Sequence, residues 1–542
     1  MNIFFFLIKK EMHIIDFSHH ELSLNVILQT LEHWENKKNI KCIDFEGNLI
    51  NTEKDIIHLF TKVLPHFPSL KYLNFSNTSL GMSEFLCIMK HVSYCPTVQS
   101  LNFTSNFMFC KTPPDQDFTK FYQDQLKELV FNENDIGTRE IEIISSYFVQ
   151  MKQLQKLSLK SCNMDYTAFY KLAKHIHHLT NLVCLNISEN SISFDATTYL
   201  LQNLPKEHLT CLKMRMKKVI SGTYSGDYKN QKMLDSIRQL KECRVLHWNI
   251  ILNDSVLKAF CSLPNLNTID LSFLLFYNYN KLYSSAKFSE TLENISLQKN
   301  SNNSIRILLN AIPNTIKMIR IEDIYLETKT IFGLLEKIKN WSNLMELTLR
   351  KTYITNSFFK KLCFQLFSLP CLTVLCMTRN RITDSGFHYF FVNKHRWKNL
   401  RFVSFHDNYS ISSEAIEKIL PRLNYYTDYP LEILLNTEIS KNFFEEKIVK
   451  MNLAKEKILQ THLCKKEMEL ILRQKKFIHH ITALRQNQNA IEQYNNLVDE
   501  LKEMVQNKIN YINFIKWMDK NVRHTNHIFH FYDLYTFLYQ YI

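Results

Sequence analysis

Three groups of closely spaced histidines are the first residues in this 542-residue sequence whose type could support chemistry. Imidazole nitrogens bind zinc, but a zinc site needs three or four ligands at suitable spacing. These groups are His175, His177 and His178; His479 and His480; and His524, His527 and His530. No carboxylate or thiol accompanies them at ligand spacing, and histidines three and six residues apart drift around a helix. The sequence therefore predicts no metal site and no cofactor.

The 13 cysteines are the second candidates for chemistry, and they are scattered without any CxxC motif. Most lie in apolar stretches, as Cys184, Cys211 and Cys376 do. This usage favours reduced, buried thiols and a cytoplasmic location. The N-terminal IFFFLI is too short for a signal peptide, and no run of 18 apolar residues predicts an integral membrane segment.

The sequence lacks the glycine-rich loops that usually form nucleotide-binding sites. The chain has only 7 glycines and contains neither GxGxxG nor GxxxxGK[ST]. The segment GTYSGDYKN, which begins at Gly222, is predicted to be a turn. No Ser/His/Asp or paired-carboxylate arrangement is visible either, so the sequence predicts a protein that is not an enzyme.

A repeated nine-residue pattern determines where the remaining residues lie. Fourteen segments have apolar residues, once cysteine, at positions 1, 4 and 6, and seven of them have asparagine at position 9. They begin at Ile40, Leu70, Val98, Leu126, Leu154, Leu182, Leu209, Cys243, Leu266, Leu292, Ile316, Leu344, Leu372 and Leu400. Positions 4 and 6 share one face of a strand, while Phe169, Leu172, Ala173 and Ile176 between two segments have helical spacing. The sequence predicts alternating strands and helices.

This pattern resembles the leucine-rich repeat, LxxLxLxxN/C, in its ribonuclease-inhibitor-like class, where about 28 residues form one strand and one helix. Successive starts are 28 residues apart from Leu70 to Leu182 and from Ile316 to Leu400. The resemblance implies an α/β solenoid, a curved horseshoe with parallel strands on its concave face and helices on its convex face. We expect an N-terminal helical cap over 1–39, an array of about 14 repeats over 40–430, and a helical C-terminal region over 431–542.

The C-terminal region contains an apolar residue every seven positions, as in one column of a coiled coil. The series is Leu463, Leu470, Phe477, Leu484, Ile491, Val498, Val505 and Ile512. The companion column is apolar mainly in its second half, which argues against one continuous two-stranded coiled coil. Two alternatives stay open: the helices cap the last repeat, or they mediate self-association.

Two enzyme-linked families with this type of repeat differ from the chain at key residues. Ran GTPase-activating proteins use an arginine in an early repeat loop and have an acidic tail, whereas here Arg139 is the first arginine of the array and the tail is basic. Bacterial leucine-rich-repeat ubiquitin ligases need a cysteine followed two residues later by Asp, whereas Cys464 lies in LCKKE. Both differences argue against catalysis.

Basic residues between the apolar positions form the candidate binding site. They are Lys213, Arg215, Arg244 and His247 in repeats seven and eight, and Arg320, Arg350, Lys351, Arg379, Arg401 and His406 in repeats eleven to fourteen. With a net charge of +14, they favour an acidic protein surface. Aromatic residues at these positions are few (Tyr72, Trp248, Phe273 and Phe402), which argues against nucleic acid.

The sequence therefore predicts a non-catalytic scaffold that binds a protein partner on the concave face. Three alternatives remain: a regulator of a GTPase or another enzyme, a host-directed effector secreted by an intracellular microbe, and a phosphoinositide or nucleic-acid binder. The last would bind with affinity that falls steeply with salt.

Overall fold

The computed structural model describes residues 13–50, 52–108, 124–220, 227–250, 254–272, 286–412, 414–416, 418 and 432–434. The chain separates into two units, residues 1–440 and 441–542, and the fold described here belongs to the first. The expected helical region over 431–542 lies outside the described residues except for 432–434. Most of the predicted turn at Gly222 also lies outside them.

A single parallel sheet of 16 strands runs through the described part of the chain, and its strand order follows the sequence. Its strands are β1 (Ile14–Asp16), β2 (Cys42–Asp44), β3 (Tyr72–Asn74), β4 (Ser100–Asn102), β5 (Glu128–Val130), β6 (Lys156–Ser158), β7 (Cys184–Asn186), β9 (Cys211–Met214), β11 (Val245–Trp248), β12 (Thr268–Asp270), β13 (Asn294–Gln298), β14 (Met318–Glu322), β15 (Glu346–Arg350), β16 (Val374–Cys376), β17 (Phe402–Ser404) and β18 (Glu432–Leu434). Each of the fourteen predicted segments contributes one strand. The predicted leucine-rich repeat fold is confirmed.

Helices connect these strands and cover one face of the sheet, the face to which the apolar side chains of positions 4 and 6 point. They are α1 (Leu24–Glu32), α2 (Glu53–His58), α3 (Met82–His91), α4 (Thr138–Ser146), α5 (Tyr166–His175), α6 (Phe194–Asn203), α7 (Asp227–Arg238), α8 (Asp254–Cys261), α9 (Asn302–Ala311), α10 (Thr328–Ile338), α11 (Asn356–Leu366) and α12 (Asp384–Val392). In α5, the Asp165 side chain caps the first turn by accepting the Ala168 N–H at 2.9 Å. The same helix buries Phe169, Leu172 and Ala173, as its apolar spacing predicts.

The core lies between the sheet and the helices and is formed by positions 1, 4 and 6 of each repeat. In the fifth repeat, Leu154, Leu157 and Leu159 are fully buried. The first four repeats place phenylalanine at position 6, and these rings stack along the solenoid. Ring centroids are 4.9 Å apart for Phe45 and Phe75, and 5.9 Å apart for Phe75 and Phe103. Each repeat therefore buries its apolar face against its neighbours as well as against its own helix.

A strand precedes the first predicted repeat. The expected helical cap over 1–39 accounts for α1 but omits β1, which pairs in parallel with β2. Ile15 and Phe17 are buried at the places of positions 4 and 6, and the Phe17 ring lies 6.3 Å from that of Phe45. Met12, Ile15 and Phe17 match positions 1, 4 and 6 of the other segments, so aligning the N-terminal sequence with them would have revealed this strand.

Buried asparagines at position 9 join each repeat to the one before it. The Asn190 Nδ2 donates to the carbonyls of Leu159 at 2.7 Å and Ile187 at 2.9 Å. Its Oδ1 accepts the N–H groups of Cys162 at 2.9 Å and Met164 at 3.1 Å. One amide thus satisfies four backbone groups that leave the sheet where the strand ends.

The same bonds recur along the array. Position-9 amides donate to the position-6 carbonyls of their own and the preceding repeat at Asn48, Asn106, Asn134, Asn380 and Asn408. Where the residue differs, a smaller donor makes part of the contact: the Cys162 thiol donates to the Phe131 carbonyl at 3.0 Å, and the Thr78 hydroxyl donates to the Phe75 carbonyl at 2.7 Å. This asparagine ladder holds neighbouring repeats in register.

The middle of the array departs from this regularity. Around repeat eight the ladder continues through Asn249, which stands at position 7 and bonds the N–H and carbonyl of Met216 at 2.7 and 2.8 Å. A separate two-stranded parallel sheet forms beside it from β8 (Ser191–Ser193) and β10 (Lys218–Ile220). The longer spacing between repeats seven and eight therefore adds backbone pairing outside the main sheet.

Replacing Asn190 by alanine tests the ladder. We expect Asn190→Ala to lower the free energy of unfolding by about 2 to 4 kcal/mol, because it leaves four buried backbone groups without their partner. The change is measured as a lower midpoint in urea unfolding.

Asn181→Ala is the matched control. The Asn181 side chain makes one hydrogen bond, to the Lys152 carbonyl at 2.9 Å, so we expect a loss below about 1 kcal/mol. Equal losses in the two variants would contradict a special role for position 9.

Candidate binding surface

Three of the predicted basic residues of repeats eleven to fourteen, Arg350, Lys351 and Arg379, lie at or just after the ends of strands, whereas Arg320 lies in the middle of β14. Arg320 is at position 5 of its repeat, Arg350 at position 7, and Lys351 and Arg379 at position 8. Position 8 is a left-handed turn, with φ of 53° at Lys351 and 56° at Arg379. In that conformation the chain leaves the sheet immediately before the position-9 residue, which at Asn380 is held by the ladder. The turn thus fixes where these side chains emerge.

The structure pairs each of these cations with a carboxylate from an adjacent repeat. The Arg320 Nε lies 2.8 Å from the Glu346 Oε1, and the Arg350 Nη1 lies 3.6 Å from the Glu322 Oε2. These pairs join β14 to β15 in both directions. The surface is therefore of mixed charge rather than a purely basic patch.

Position 8 carries a second row of ion pairs. Asp323 lies between two lysines, with its carboxylate oxygens 2.5 Å from the Lys351 Nζ and 3.6 Å from the Lys299 Nζ. The hydrogen bond from Lys351 outweighs burial and lowers the pKa of Asp323 below its ordinary value. Asp323 is therefore ionised at neutral pH.

The row continues into the last two repeats. The Arg379 Nε lies 2.8 Å from the Asp407 Oδ2, and the His406 Nδ1 lies 3.1 Å from the same oxygen. Burial alone would raise the pKa of Asp407, but the hydrogen bond from Arg379 and the charge of His406 outweigh it and the pKa is lowered. We call the paired residues Arg320, Glu322, Asp323, Glu346, Arg350, Lys351, Arg379 and Asp407 the ion-pair ladder.

The cations of the ion-pair ladder stand further out than the anions. The Arg379 side chain is 48% exposed, whereas the Asp407 side chain is 12% exposed. For Arg320 and Glu346 the values are 45% and 18%. A guanidinium has five N–H donors, and the Nε contact with the neighbouring carboxylate uses one of them. A molecule that approaches this surface meets arginine nitrogens first.

Repeats seven and eight hold their predicted residues in a different arrangement. The Arg215 Nε and Nη2 donate to the Glu189 Oε1 at 3.0 and 2.7 Å, and both Arg215 and His247 lie 3.9 Å from the Asp270 carboxylate. Burial, followed by the charges of Lys213 and Arg215, lowers the pKa of His247 despite Asp270. This imidazole is neutral at pH 7, so it adds no positive charge.

The ten predicted residues do not form one site. Arg244 and Arg401 occupy position 2, at the entry of β11 and β17, whereas Arg350, Lys351 and Arg379 lie at or after the ends of β15 and β16. Repeats nine and ten separate the two basic groups.

Sequence reasoning missed an exposed column at position 10. Its members are Tyr325, Tyr353, Arg381 and Tyr409, one from each of repeats eleven to fourteen, and we call them the position-10 column. The Tyr325 and Tyr353 ring centroids are 6.0 Å apart, and the Arg381 guanidinium carbon lies 5.1 Å from the Tyr353 centroid. Tyr325 is 60% exposed and Tyr409 is 81% exposed. Aligning position 10 down the repeats would have revealed this column.

The position-10 column adjoins the ion-pair ladder. A hydrogen bond between Tyr409 and the Asp407 carboxylate links the two rows in the last repeat. Tyrosine and arginine are the residue types that most often dominate binding energy at protein interfaces. The two rows together form one continuous exposed edge.

Comparisons with known proteins give only distant similarities. No protein-family model and no curated protein matches the chain. Among solved structures, a leucine-rich repeat protein of Leptospira interrogans is 18% identical over 75% of this chain and 94% of its own, with a TM-score of 0.36. Yeast Rad7, from its complex with Elc1, is 16% identical over 76% and 86%, with a TM-score of 0.41. TLR13 in complex with ssRNA13 is 15% identical over 75% and 63%, with a TM-score of 0.36.

The TM-scores of these three superpositions are low, so the comparisons do not by themselves define the fold. The chain's own repeat register, parallel sheet and asparagine ladder are what define it as a leucine-rich repeat solenoid of the strand–helix type.

In the part of the chain that the structure describes, no three His, Cys, Asp or Glu side chains come together as metal ligands would. The groups at His479 and His524 lie outside that part. Among the described helices, none is both long and apolar enough to cross a membrane.

Neutralising Lys351 tests the electrostatics of the ion-pair ladder. The lowered pKa of Asp323 stabilises the fold above the unfolded value of about 3.8, and this contribution is lost as the pH falls through the folded value. We expect Lys351→Gln to lower the melting temperature at pH 7 by an amount that corresponds to less than about 1 kcal/mol, because the pair is exposed. The difference from the unmodified chain should disappear when Asp323 is protonated in both proteins.

Lys329→Gln, which removes an exposed charge at the start of α10, is the control. Its melting temperature should differ little from that of the unmodified chain, both at pH 7 and at the acidic pH where Asp323 is protonated. A difference for Lys351→Gln that persists in acid would assign the loss to the turn rather than to the charge.

Proposed function

We propose that this chain is a non-catalytic scaffold that binds a protein partner on repeats eleven to fourteen. The proposed surface is the exposed edge formed by the ion-pair ladder and the position-10 column. The observation that carries this proposal is the side-by-side arrangement of the position-10 column and the ion-pair ladder. Exposed aromatic rings supply apolar contact area at low conformational cost, and the adjacent charges supply orientation.

The solenoid supports such a role because it presents the edge ready-made. The backbone beneath these side chains is held by hydrogen bonds such as that from the Asn380 Nδ2 to the Leu349 carbonyl, at 2.6 Å. A preformed surface avoids the ordering cost that a flexible one pays on binding.

The partner is proposed to present carboxylates or backbone carbonyls. The outermost polar atoms of the ion-pair ladder are arginine nitrogens such as those of Arg379, and the chain carries a net charge of +14. A second carboxylate can bind to the remaining N–H donors of Arg379 without displacing Asp407. An acidic protein segment therefore fits this edge.

Single-stranded nucleic acid is the second candidate, because a column of tyrosines and an arginine is also a stacking surface for bases. The carboxylates of Asp323 and Asp407 beside the column repel phosphates, which favours the protein partner. The alternative roles, as a regulator of a GTPase or another enzyme or as a host-directed effector, depend on the identity of the partner that this surface binds. Self-association through the C-terminal helices concerns residues outside those described.

Charge reversal on the ion-pair ladder tests the proposed surface. With the full chain as bait in a cell extract, we expect Arg350→Glu combined with Arg379→Glu to reduce recovery of the partner at least about tenfold, since arginine contacts at interface centres commonly contribute at least that factor. Recovered proteins are identified by mass spectrometry and their affinities measured with purified material.

Lys329→Glu combined with Lys339→Glu makes the same change in charge at exposed sites in and directly after α10. It should leave recovery within about twofold, and melting temperatures confirm that both variants fold. If the variant with Arg350→Glu and Arg379→Glu recovers as much partner as the unmodified chain, this edge is excluded as the binding surface.

Removing two rings tests the position-10 column. We expect Tyr325→Ala combined with Tyr353→Ala to weaken binding of the captured partner at least about tenfold, because two exposed anchors are lost. The matched control is Tyr170→Ala combined with Tyr199→Ala. It removes a similar exposed pair, with ring centroids 5.5 Å apart, from α5 and α6.

A short single-stranded oligonucleotide is the second probe for the same variants. Tight binding of the oligonucleotide that depends on Tyr325 and Tyr353 and falls steeply with salt, without a captured protein, would support the nucleic-acid candidate instead. Loss of partner binding in the control pair as well would show that the effect is not specific to position 10.

A further inference from the structure

Two cysteines lie directly opposite each other on neighbouring strands of the concave face. Cys184 begins β7 and Cys211 begins β9, and the two residues are register partners in the parallel sheet. Adjacent strands are about 4.8 Å apart, which is inside the Cα separation of about 4.4 to 6.8 Å that a disulfide bridges. Both residues occupy position 3 of their repeats, so both side chains project away from the core.

Both thiols are only partly buried, so small molecules in solution reach them. Their surroundings favour ionisation of one of the two thiols, that of Cys184. A hydrogen bond from the Cys211 thiol is the main reason why the pKa of Cys184 is lowered, to about 7, and the charges of Lys213 and Lys156 lower it further. Burial and the charge of Glu128 act in the opposite direction. The same contact raises the pKa of Cys211, so the pair retains one proton when it first ionises.

Cys42 provides a comparison within the chain. It occupies position 3 of the first repeat and is also partly buried, but its register partners are Ile14 and Tyr72. Burial raises the pKa of Cys42 to about 11. Position 3 by itself therefore does not activate a thiol, and the partner cysteine on the next strand makes the difference.

We propose that Cys184 and Cys211 form a redox-active dithiol that hydrogen peroxide converts into a reversible disulfide between β7 and β9. In the first step the Cys184 thiolate attacks one peroxide oxygen, the O–O bond breaks, and the departing hydroxide takes a proton to become water. Cys184 is then a sulfenic acid. In the second step the Cys211 sulfur attacks the Cys184 sulfur, the S–O bond breaks, and the departing hydroxide takes the Cys211 proton.

The sum of the two steps balances. Two thiols lose two electrons and two protons, and one peroxide molecule becomes two water molecules. The bond is expected to be reversible, because both cysteines are partly exposed and a thiol reductant can therefore reach it. Accessible disulfides are the ones most readily reduced.

The experiment uses the full chain treated with one to a few equivalents of hydrogen peroxide at pH 7. Remaining thiols are alkylated, the protein is digested without reduction, and peptides are identified by mass spectrometry. We expect one linked pair of peptides, containing Cys184 and Cys211, which dithiothreitol separates. Cys184→Ser and Cys211→Ser should each abolish it, while Cys42→Ser should not.

A second measurement follows the proposed intermediate. In Cys211→Ser, Cys184 cannot form the disulfide, so we expect dimedone to label Cys184 as a sulfenic acid. In the unmodified chain at pH 7, iodoacetamide should modify Cys184 at least about tenfold faster than Cys42, as the difference in thiolate fraction requires.

Two results would overturn the proposal. One is the absence of a Cys184–Cys211 linkage at a peroxide dose that oxidises the exposed Cys371. The other is alkylation of Cys184 and Cys42 at equal rates. Both are read on the unmodified chain, so they do not depend on whether the serine variants fold.

Discussion

The hydrogen bonds of the buried position-9 asparagines are the interaction on which the rest of this structure depends. Each strand is only three to five residues long, so the chain leaves the sheet again almost as soon as it enters it. At every exit, backbone N–H and C=O groups are buried without a strand partner, and leaving them unpaired costs free energy at each repeat. An asparagine amide has both the donors and the acceptor that these groups need, and it is short enough to reach two repeats at once.

This constraint also determines where the exposed edge lies. To bring the asparagine inward, the preceding residue adopts a left-handed turn, as Arg379 does before Asn380 and Asp407 does before Asn408. Side chains at position 8 therefore leave the solenoid at the same place in each repeat, and those at position 10 follow one step further along the loop. Charges and rings that are 28 residues apart in sequence become neighbours in space, as Arg379 and Asp407 are at 2.8 Å. The surface is a product of the repeat geometry.

The two surface features differ in how they use that geometry. In the ion-pair ladder, each cation lies beside a carboxylate of an adjacent repeat, so their charges compensate while the arginines remain outermost. At Cys184 and Cys211, two like residues meet instead, and each changes the proton affinity of the other. In both cases the property belongs to a pair, and neither member shows it alone. Isolated residues at equivalent places, such as Cys42, lack it.

The sequence by itself determined the repeat, the strand and helix periods, and the residues that form the core. These follow from local spacing, because the apolar period is 2 in a strand and 3.6 in a helix whatever the neighbours are. It also identified the cations at Arg320, Arg350, Lys351 and Arg379. The tertiary structure alone decided that each has a carboxylate beside it, and it showed that β1 extends the array and that the Tyr325 and Tyr353 rings are 6.0 Å apart. Cys184 and Cys211 share position 3 of successive segments in the sequence, but the structure is what shows that they are register partners, since the two segments start 27 residues apart rather than 28. Contacts across repeats depend on register, and register is set by packing and by the asparagine ladder rather than by any single segment.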